Sequence, residues 1–343
     1  MKKTWVVLAL IALTLLMTTG VTQAATNPAA AITNDGSAAQ NPTSVARPGM
    51  VSHGPIAIHP FIDVAAIQTS KIEIFVSDGE NNVVNIYNTA GKLLGQIDDL
   101  SEPQGITSDG KANLYVADTG DNAIKIYTPP YKHAPKVLDD PGEYPVSVSV
   151  TYDGEFVAVA NLTSTSGGPG NVLIFKKGEA KYKISSSALA RVYFLAFDAK
   201  GNLYVDGESP SGQVVLGEIA NATKGGNKLK TLKYTGVTIG FPGGIQVTTH
   251  DKIAILDQQA ATIYTFNQPV NGSLGSPIAT TGLTGASDPV TFAFTASNKD
   301  FWSAIAGATG VDEFAYPAGG NPVKQFMESG EPIGVALVPA EQP

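Results

Sequence analysis

The chain has 343 residues, 43% of them hydrophobic and 15% charged, with 22 basic side chains against 30 acidic ones for a net charge of −8. Such a length can bury a large core, and the acidic balance, with no basic run anywhere, excludes nucleic acid and anionic membrane surfaces as expected partners. Cysteine is absent, which excludes disulfide stabilisation, thiol catalysis, a cysteine-anchored lipid and thiolate-bound metal.

Residues 1–24 have the three parts of a secretory signal. Lys2 and Lys3 give the positive start, Trp5 to Met17 are almost wholly apolar, and Thr22-Gln23-Ala24 offers small residues for cleavage. The apolar run is short for a membrane span, so the expectation is a cleaved signal of bacterial type and a secreted or periplasmic chain with no membrane contact afterwards. Retention as an N-terminal anchor is the alternative. Residues 25–60 are rich in Ala, Asn, Pro, Ser and Thr, with Asp35 and Arg47 their only charged side chains when histidine is counted neutral. That composition buries too little apolar surface to offset ordering entropy and predicts a flexible tether.

Residues 61–343 are predicted to form one domain of repeating strands. Pro103-Gln-Gly-Ile-Thr-Ser-Asp-Gly-Lys-Ala-Asn-Leu-Tyr-Val-Ala-Asp118, a short turn and Ala123-Ile-Lys-Ile-Tyr127 read as strand, turn, strand, turn, strand. Equivalent starts stand at Pro145, Val192, Pro242, Pro289 and Pro332, in steps of 42 to 50 residues. No segment keeps a 3.6-residue period, so helical solenoids are excluded and the period fits four-stranded propeller blades. Three positions into each unit stand Ile106, Val148, Leu195, Ile245, Phe292 and Val335, all apolar. Two further on come Ser108, Val150, Phe197, Val247, Phe294 and Leu337, a period-two face that buries one blade against the next. Ser147, Ser149, Thr291 and Ala336 between them are small, as an inner strand near a central axis requires.

The two ends of the repeat fit together. Ile72 to Asp78 and Val83 to Tyr87 match second and third strands with no convincing first strand before them, while Pro332 to Pro339 is a first strand with nothing after it. The fold expected is therefore all-β, a six-bladed β-propeller closed by the C-terminal strand completing the first blade, which leaves no open edge in the ring. The alternative gives that first strand to Ile62 through Ile67. Phe301 and Trp302, on a second strand, are expected to pack between blades.

The Pro-x-Gly-Ile, Asp-Gly, Asn-Leu-Tyr-Val-Ala-Asp and Asn-x-Ile-x-Ile-Tyr elements of residues 103 to 127 resemble the NHL repeat, and the resemblance extends over roughly residues 70 to 340. It implies a six-bladed propeller with the strand-end Asp as a turn former. NHL repeats usually carry a basic residue after the turn Asn, whereas Asn82 is followed by Val83 and Asn122 by Ala123. That departure weakens the implication of RNA binding carried by the basic members of the family.

The turns expected on the face where the first strands begin are polar and mostly acidic: Asp78 to Asn82, Asp118 to Asn122, Asn161 to Gly170, Asp206 to Glu208 and Asp257 to Gln259. Asp78, Asp118 and Asp257 read as turn formers satisfying backbone N–H groups. Glu102, Gln104, Asn161, Asp206, Glu208 and Asp257 are the candidates for a ligand face. Asn161 to Gly170 is expected as a polar loop replacing a tight turn, a functional or a merely tolerated insertion. The four histidines form no ligand pair, and neither a Gly-x-Ser-x-Gly elbow nor a phosphate-cradling motif is present.

Three functions remain, of which the third, a purely structural envelope repeat protein, predicts no pocket at all. The first is a secreted or periplasmic binding module whose partner is a protein, a glycan or a small molecule. The second is a divalent-metal-dependent hydrolase or lyase, because the Asp-Gly…Leu-Tyr-Val-Ala-Asp strands are also similar, more distantly, to the senescence-marker/gluconolactonase-like propellers. That resemblance implies an axial calcium or other divalent cation held by oxygen ligands, for which Glu102, Asn161 and Asp206 are the nearest residues. The Glu-Gly-Pro-x-Trp segment typical of that family is missing.

Overall fold

The computed structural model describes residues 72–308, 310–328 and 330–338. The expected signal and tether, and the start of the expected domain, lie outside the described residues. Everything within them is strand and turn apart from three single turns of 3-10 helix.

Six antiparallel blades stand in a ring, each counted here from the axis outwards. Blade 1 is Pro332–Val338, Glu73–Asp78, Val83–Asn88 and Leu93–Ile97. Blade 2 is Pro103–Ser108, Leu114–Asp118, Ala123–Tyr127 and Lys136–Asp139. Blade 3 is Glu143–Val150, Phe156–Ser164, Pro169–Lys176 and Glu179–Ile184. Blade 4 is Arg191–Phe197, Leu203–Glu208, Val214–Ile219 and Leu229–Tyr234, blade 5 is Pro242–Val247, Ile253–Asp257, Thr262–Phe266 and Ala279–Gly282, and blade 6 is Pro289–Phe294, Asp300–Ile305, Gly310–Ala315 and Lys324–Met327. Ser273–Gly275 adds a short parallel pairing to the rim strand of blade 4 and so staples blade 5 to its neighbour.

The ring closes through the C-terminal strand, as the unmatched ends of the repeat require. Pro332–Val338 pairs antiparallel with Glu73–Asp78 from Glu73 opposite Val338 to Asp78 opposite Pro332. The place that Ile62 to Ile67 would have filled is thus taken. Each inner strand lies against the next around the axis, and that of blade 6 lies against Pro332–Val338.

Alternation along the strands produces a separate apolar layer between neighbouring blades. Val148, Val157 and Val159 of blade 3 pack on Tyr115, Ala117 and Ile124 of blade 2. Leu195, Phe197, Leu203 and Val205 of blade 4 meet Ala158, Ala160 and Ile174 of blade 3. Successive residues on one strand face opposite neighbours, so Phe301 joins the layer with Ala254 and Leu256 of blade 5 while Trp302 joins Ile74, Val76, Val335 and Leu337 of blade 1.

The Pro-x-Gly start of the inner strands has a steric cause. Proline tolerates the first position because the strand begins there at a bulge and has no partner on its axial side. Two residues later, neighbouring inner strands approach so closely that a Cβ on Gly105 would stand 2.8 Å from Cα of Ser147 and 2.9 Å from the Val146 carbonyl oxygen. Gly334 meets the Gln104 carbonyl in the same way, and Gly244 meets Cα of Thr291. Gly105→Ala is therefore expected to cost about 1–3 kcal/mol, the usual cost of overpacking, because the opposing atoms are backbone; urea unfolding of the two chains measures it.

Hydroxyls then join the inner strands. Ser108 donates to the Leu337 carbonyl at 2.6 Å, Thr291 donates to Ile333 at 2.8 Å and accepts from the Val335 N–H, and Ser149 accepts the Phe197 N–H at 3.0 Å. The axial edge of each inner strand carries backbone groups without a ladder partner, and these side chains satisfy some of them.

Candidate functional site

The ring has two faces. On the upper face the inner strands begin and the second strands end; on the lower face the inner strands end. The acidic turns gather on the upper face, where most of their carboxylates hold backbone. Asp78 accepts the N–H groups of Glu80, Asn81 and Glu331 at 3.0 to 3.1 Å. Asp257 accepts those of Gly240, Phe241, Gln259 and Ala260. Asp118 accepts the Ser101 N–H at 2.6 Å and pairs with Lys125 at 2.6 Å. Burial nonetheless pushes its carboxyl up to about 7, against the opposing pull of Lys125. In each case the carboxylate ties the turn after the second strand to the connection leading into the same blade's inner strand, which is the expected turn chemistry.

The remaining candidates are scattered. Glu102 sits at φ 52°, its N–H donating to Asn82 Oδ1 at 2.8 Å. Gln104 is buried on the inner strand of blade 2, its carbonyl accepting from Ser77 and its Nε2 lacking a partner among the described residues. Glu208 is held by Arg191 at 2.9 Å and by the Tyr193 hydroxyl at 3.1 Å.

Two expectations about turns are corrected. Asp206 to Glu208 is the end of the strand Leu203–Glu208, not a turn. Leu203-Tyr-Val-Asp-Gly207 carries its Asp one residue earlier than Leu114-Tyr-Val-Ala-Asp118, so in the same pairing Gly207 faces Val192 as Asp118 faces Pro103 and occupies the position of Asp118. Asp206 consequently points to the other side of the strand, wholly buried, with Oδ1 accepting the Phe194 N–H at 2.9 Å. Its pKa is raised well above the ordinary carboxylate value by burial, the N–H groups of Phe194 and Gly243 pulling the other way.

Asn161 to Gly170 is likewise not a loop but the tip of a long hairpin between Phe156–Ser164 and Pro169–Lys176. Ser164 closes it, accepting the Gly167 N–H through its carbonyl and the Gly168 N–H through Oγ at 2.8 Å. Glycine at 167 supplies the left-handed turn residue, at φ 83°. The extra length is held from beneath by a buried polar chain: Asn161 donates to Asp140 at 2.8 Å and to Asn171 at 3.1 Å, Asn171 donates to Glu143 at 2.8 Å, and Lys183 pairs with Glu143.

Burial pushes the Asp140 carboxyl up to about 6, outweighing the hydrogen bond from Asn161. A folded-state pKa above the unfolded value stabilises fully below about pH 4, and that contribution is lost as pH rises through about 6. Two units correspond to about 3 kcal/mol. Asp140→Asn keeps an acceptor for Asn161 and removes the titration. Its stability relative to the parent is therefore expected to improve by up to about 3 kcal/mol between pH 4 and pH 8, read from urea titrations at each pH.

The residues do not fit an axial cation. Asn161 is enclosed in its own polar chain with Oδ1 unpartnered among the described residues, Asp206 lies between strands with its pKa raised, and Glu102 sits in a tight turn. Among the described residues no three Asp, Glu, His or Cys side chains lie together in a way that could hold a metal ion. A hard cation needs six to eight oxygens converging on it, so no step through a metal is derived.

A cavity of about 130 Å³ lies at the lower end of the axis, away from all of these candidates. Its wall comes from the later halves of the inner strands, with Thr249 and Asn298 at the rim, where Thr249 donates through N–H and Oγ1 to Asn298 Oδ1 at 2.7 Å. Among the described residues the lining has hydroxyl, amide and apolar side chains and no titratable one.

Comparison with known proteins places the architecture. The structure resembles a chain of a nidogen/laminin complex, with a TM-score of 0.63 and 12% identity over 79% of this chain and 99% of that one. It also resembles a protein of unknown function from Bacteroides caccae, with a TM-score of 0.60 and 14% identity over 78% and 99% of the respective chains. A chain of Kuenenia stuttgartiensis hydrazine synthase matches at 0.52 and 13% identity over 70% and 72%. The likeness is one of fold. No protein-family model and no curated protein matches the sequence.

Proposed function

We propose that this chain is an exported, NHL-like β-propeller that binds another protein through its upper face. The observation that carries this reading is the division of labour between the two ends of the axis. The acidic residues of the upper face mostly hold the scaffold together, and among the described residues the axial cavity has no acid or base in its wall. General acid–base and metal-assisted chemistry both need such groups converging on one point. A rigid ring presenting polar turns is, in contrast, a suitable surface for recognition, and the similar chain was solved within a nidogen/laminin complex. The Pro-x-Gly and Asp-turn geometry supports the NHL-like reading, and the signal pattern supports export.

The test uses the chain of residues 25–343 for turnover and the native chain in its host for partners. Photo-crosslinkers at Glu80 and Asp121, both exposed on the upper face, are expected to give one discrete protein adduct, and one at Lys111 on the lower face to give none. Fractionation is expected to recover the chain outside the cytoplasm. Lactones, esters and phosphate esters, with and without calcium, are expected to remain intact. Turnover that disappears in Glu208→Gln would replace this reading with an enzymatic one.

A further inference from the structure

We infer that the lower axial cavity is a binding site for a neutral, polyhydroxylated molecule of about monosaccharide size, separate from the protein-binding face. The size follows from the volume: about 130 Å³ is several times what a single water needs, enough for one small ring and too little for a chain of several.

The chemistry follows from the wall. Among the described residues no titratable side chain lines the cavity, so a charged ligand would surrender hydration with no counter-charge to replace it, at a cost of several kcal/mol. A purely apolar ligand fails for the opposite reason, because it would leave backbone groups on the axial edges and the lining hydroxyls and amides unpaired. Thr107 of blade 2, Ser147 of blade 3 and Gln246 of blade 5 reach this wall, and their side chains have no hydrogen-bond partner among the described residues. They differ in this from Ser108, Ser149 and Thr291, whose hydroxyls join neighbouring inner strands. Hydrogen-bonding groups free on three blades around one axis suit a ligand with hydroxyls around its perimeter. Phe194, Phe197 and Phe294 supply apolar wall between them, which suits the C–H faces that such a ring also presents.

Isothermal titration or saturation-transfer NMR of residues 25–343 tests the site, with glucose and myo-inositol as neutral probes and gluconate and glucosamine as charged probes of similar size. Saturable millimolar binding of at least one neutral probe, with the charged ones at least about tenfold weaker, is the expected result. Thr107→Val, which keeps shape, and Gln246→Leu are each expected to weaken the neutral probe by about tenfold, the loss of a hydrogen bond or two. Glu80→Gln on the other face should leave it unchanged. Unchanged melting curves establish that the variants fold. No saturable binding by either neutral probe, equal binding of the charged ones, or affinity indifferent to both variants would overturn the inference, and each result is independent of crosslinking on the upper face.

Discussion

Deleting residues 332–343 from the chain of residues 25–343 is expected to abolish the folded state. The strand Pro332–Val338 is buried throughout, with Ile333, Val335, Leu337 and Val338 only 3–4% exposed. At about 1.5–3 kcal/mol for each buried aliphatic side chain, those four contribute on the order of 6–12 kcal/mol, an upper bound comparable with the whole net stability of a domain, about 5–15 kcal/mol. The deletion also removes the ladder to Glu73–Asp78 and the carbonyls that Ser108 and Thr291 hold, and it opens the inner edge of blade 1. Tryptophan occurs at positions 5 and 302 alone, so the chain starting at residue 25 reports on Trp302, which is 1% exposed at this joint. Its emission is expected to move from buried to solvated wavelengths on deletion, with loss of a cooperative melt. A permuted chain carrying residues 330–338 ahead of residue 72 should recover both. A truncated chain that melts cooperatively with buried emission would show that the ring holds without its closing strand.

The architecture was legible because its cause is repetitive. A Pro-x-Gly start is forced wherever two inner strands nearly touch, as at Gly105 and Gly334, and the same contact recurs around the axis. Ring closure was legible from arithmetic, because a blade lacking a first strand and a first strand lacking a blade can satisfy each other. The sites were less legible. The five polar turns meet similar backbone needs, so Asp257 and Asp206 look alike in sequence, although Asp257 binds four N–H groups at its strand end and Asp206, one position earlier in its own strand, is turned to the other side. Composition misled at Asn161 to Gly170, whose Ser, Gly and Pro read as loop. The hairpin there depends on Asn161 and Asn171 meeting beneath it, and that pairing has no local signature. The lower cavity was hidden because its walls are ordinary Thr, Ser, Gln and Phe, whose meaning comes from where the strands end.

The joint where the two ends of the chain meet is also where a single side chain matters most, and Trp302→Ala is expected to cost about 3–5 kcal/mol. Trp302 packs on Val335 and Leu337 from the C-terminal strand and on Ile74 and Val76 from the N-terminal one, so its ring spans a joint that no covalent connection crosses. Phe326 lies 5.7 Å from it and the Lys324 ammonium 5.6 Å, covering the outward side. Phe301, one residue away, is just as buried but packs on blade 5, where the chain itself links the two blades. Cavity creation alone predicts similar losses for Phe301→Ala and Trp302→Ala in urea unfolding. Opening of the joint predicts a further difference: amides of Val335 to Val338 should exchange with solvent faster in Trp302→Ala than in Phe301→Ala when the two are compared at equal global stability. Equal exchange would mean that the ring unfolds as one unit and that the joint is no weaker than any other seam. Faster exchange confined to that strand would identify closure as the last step in and the first step out.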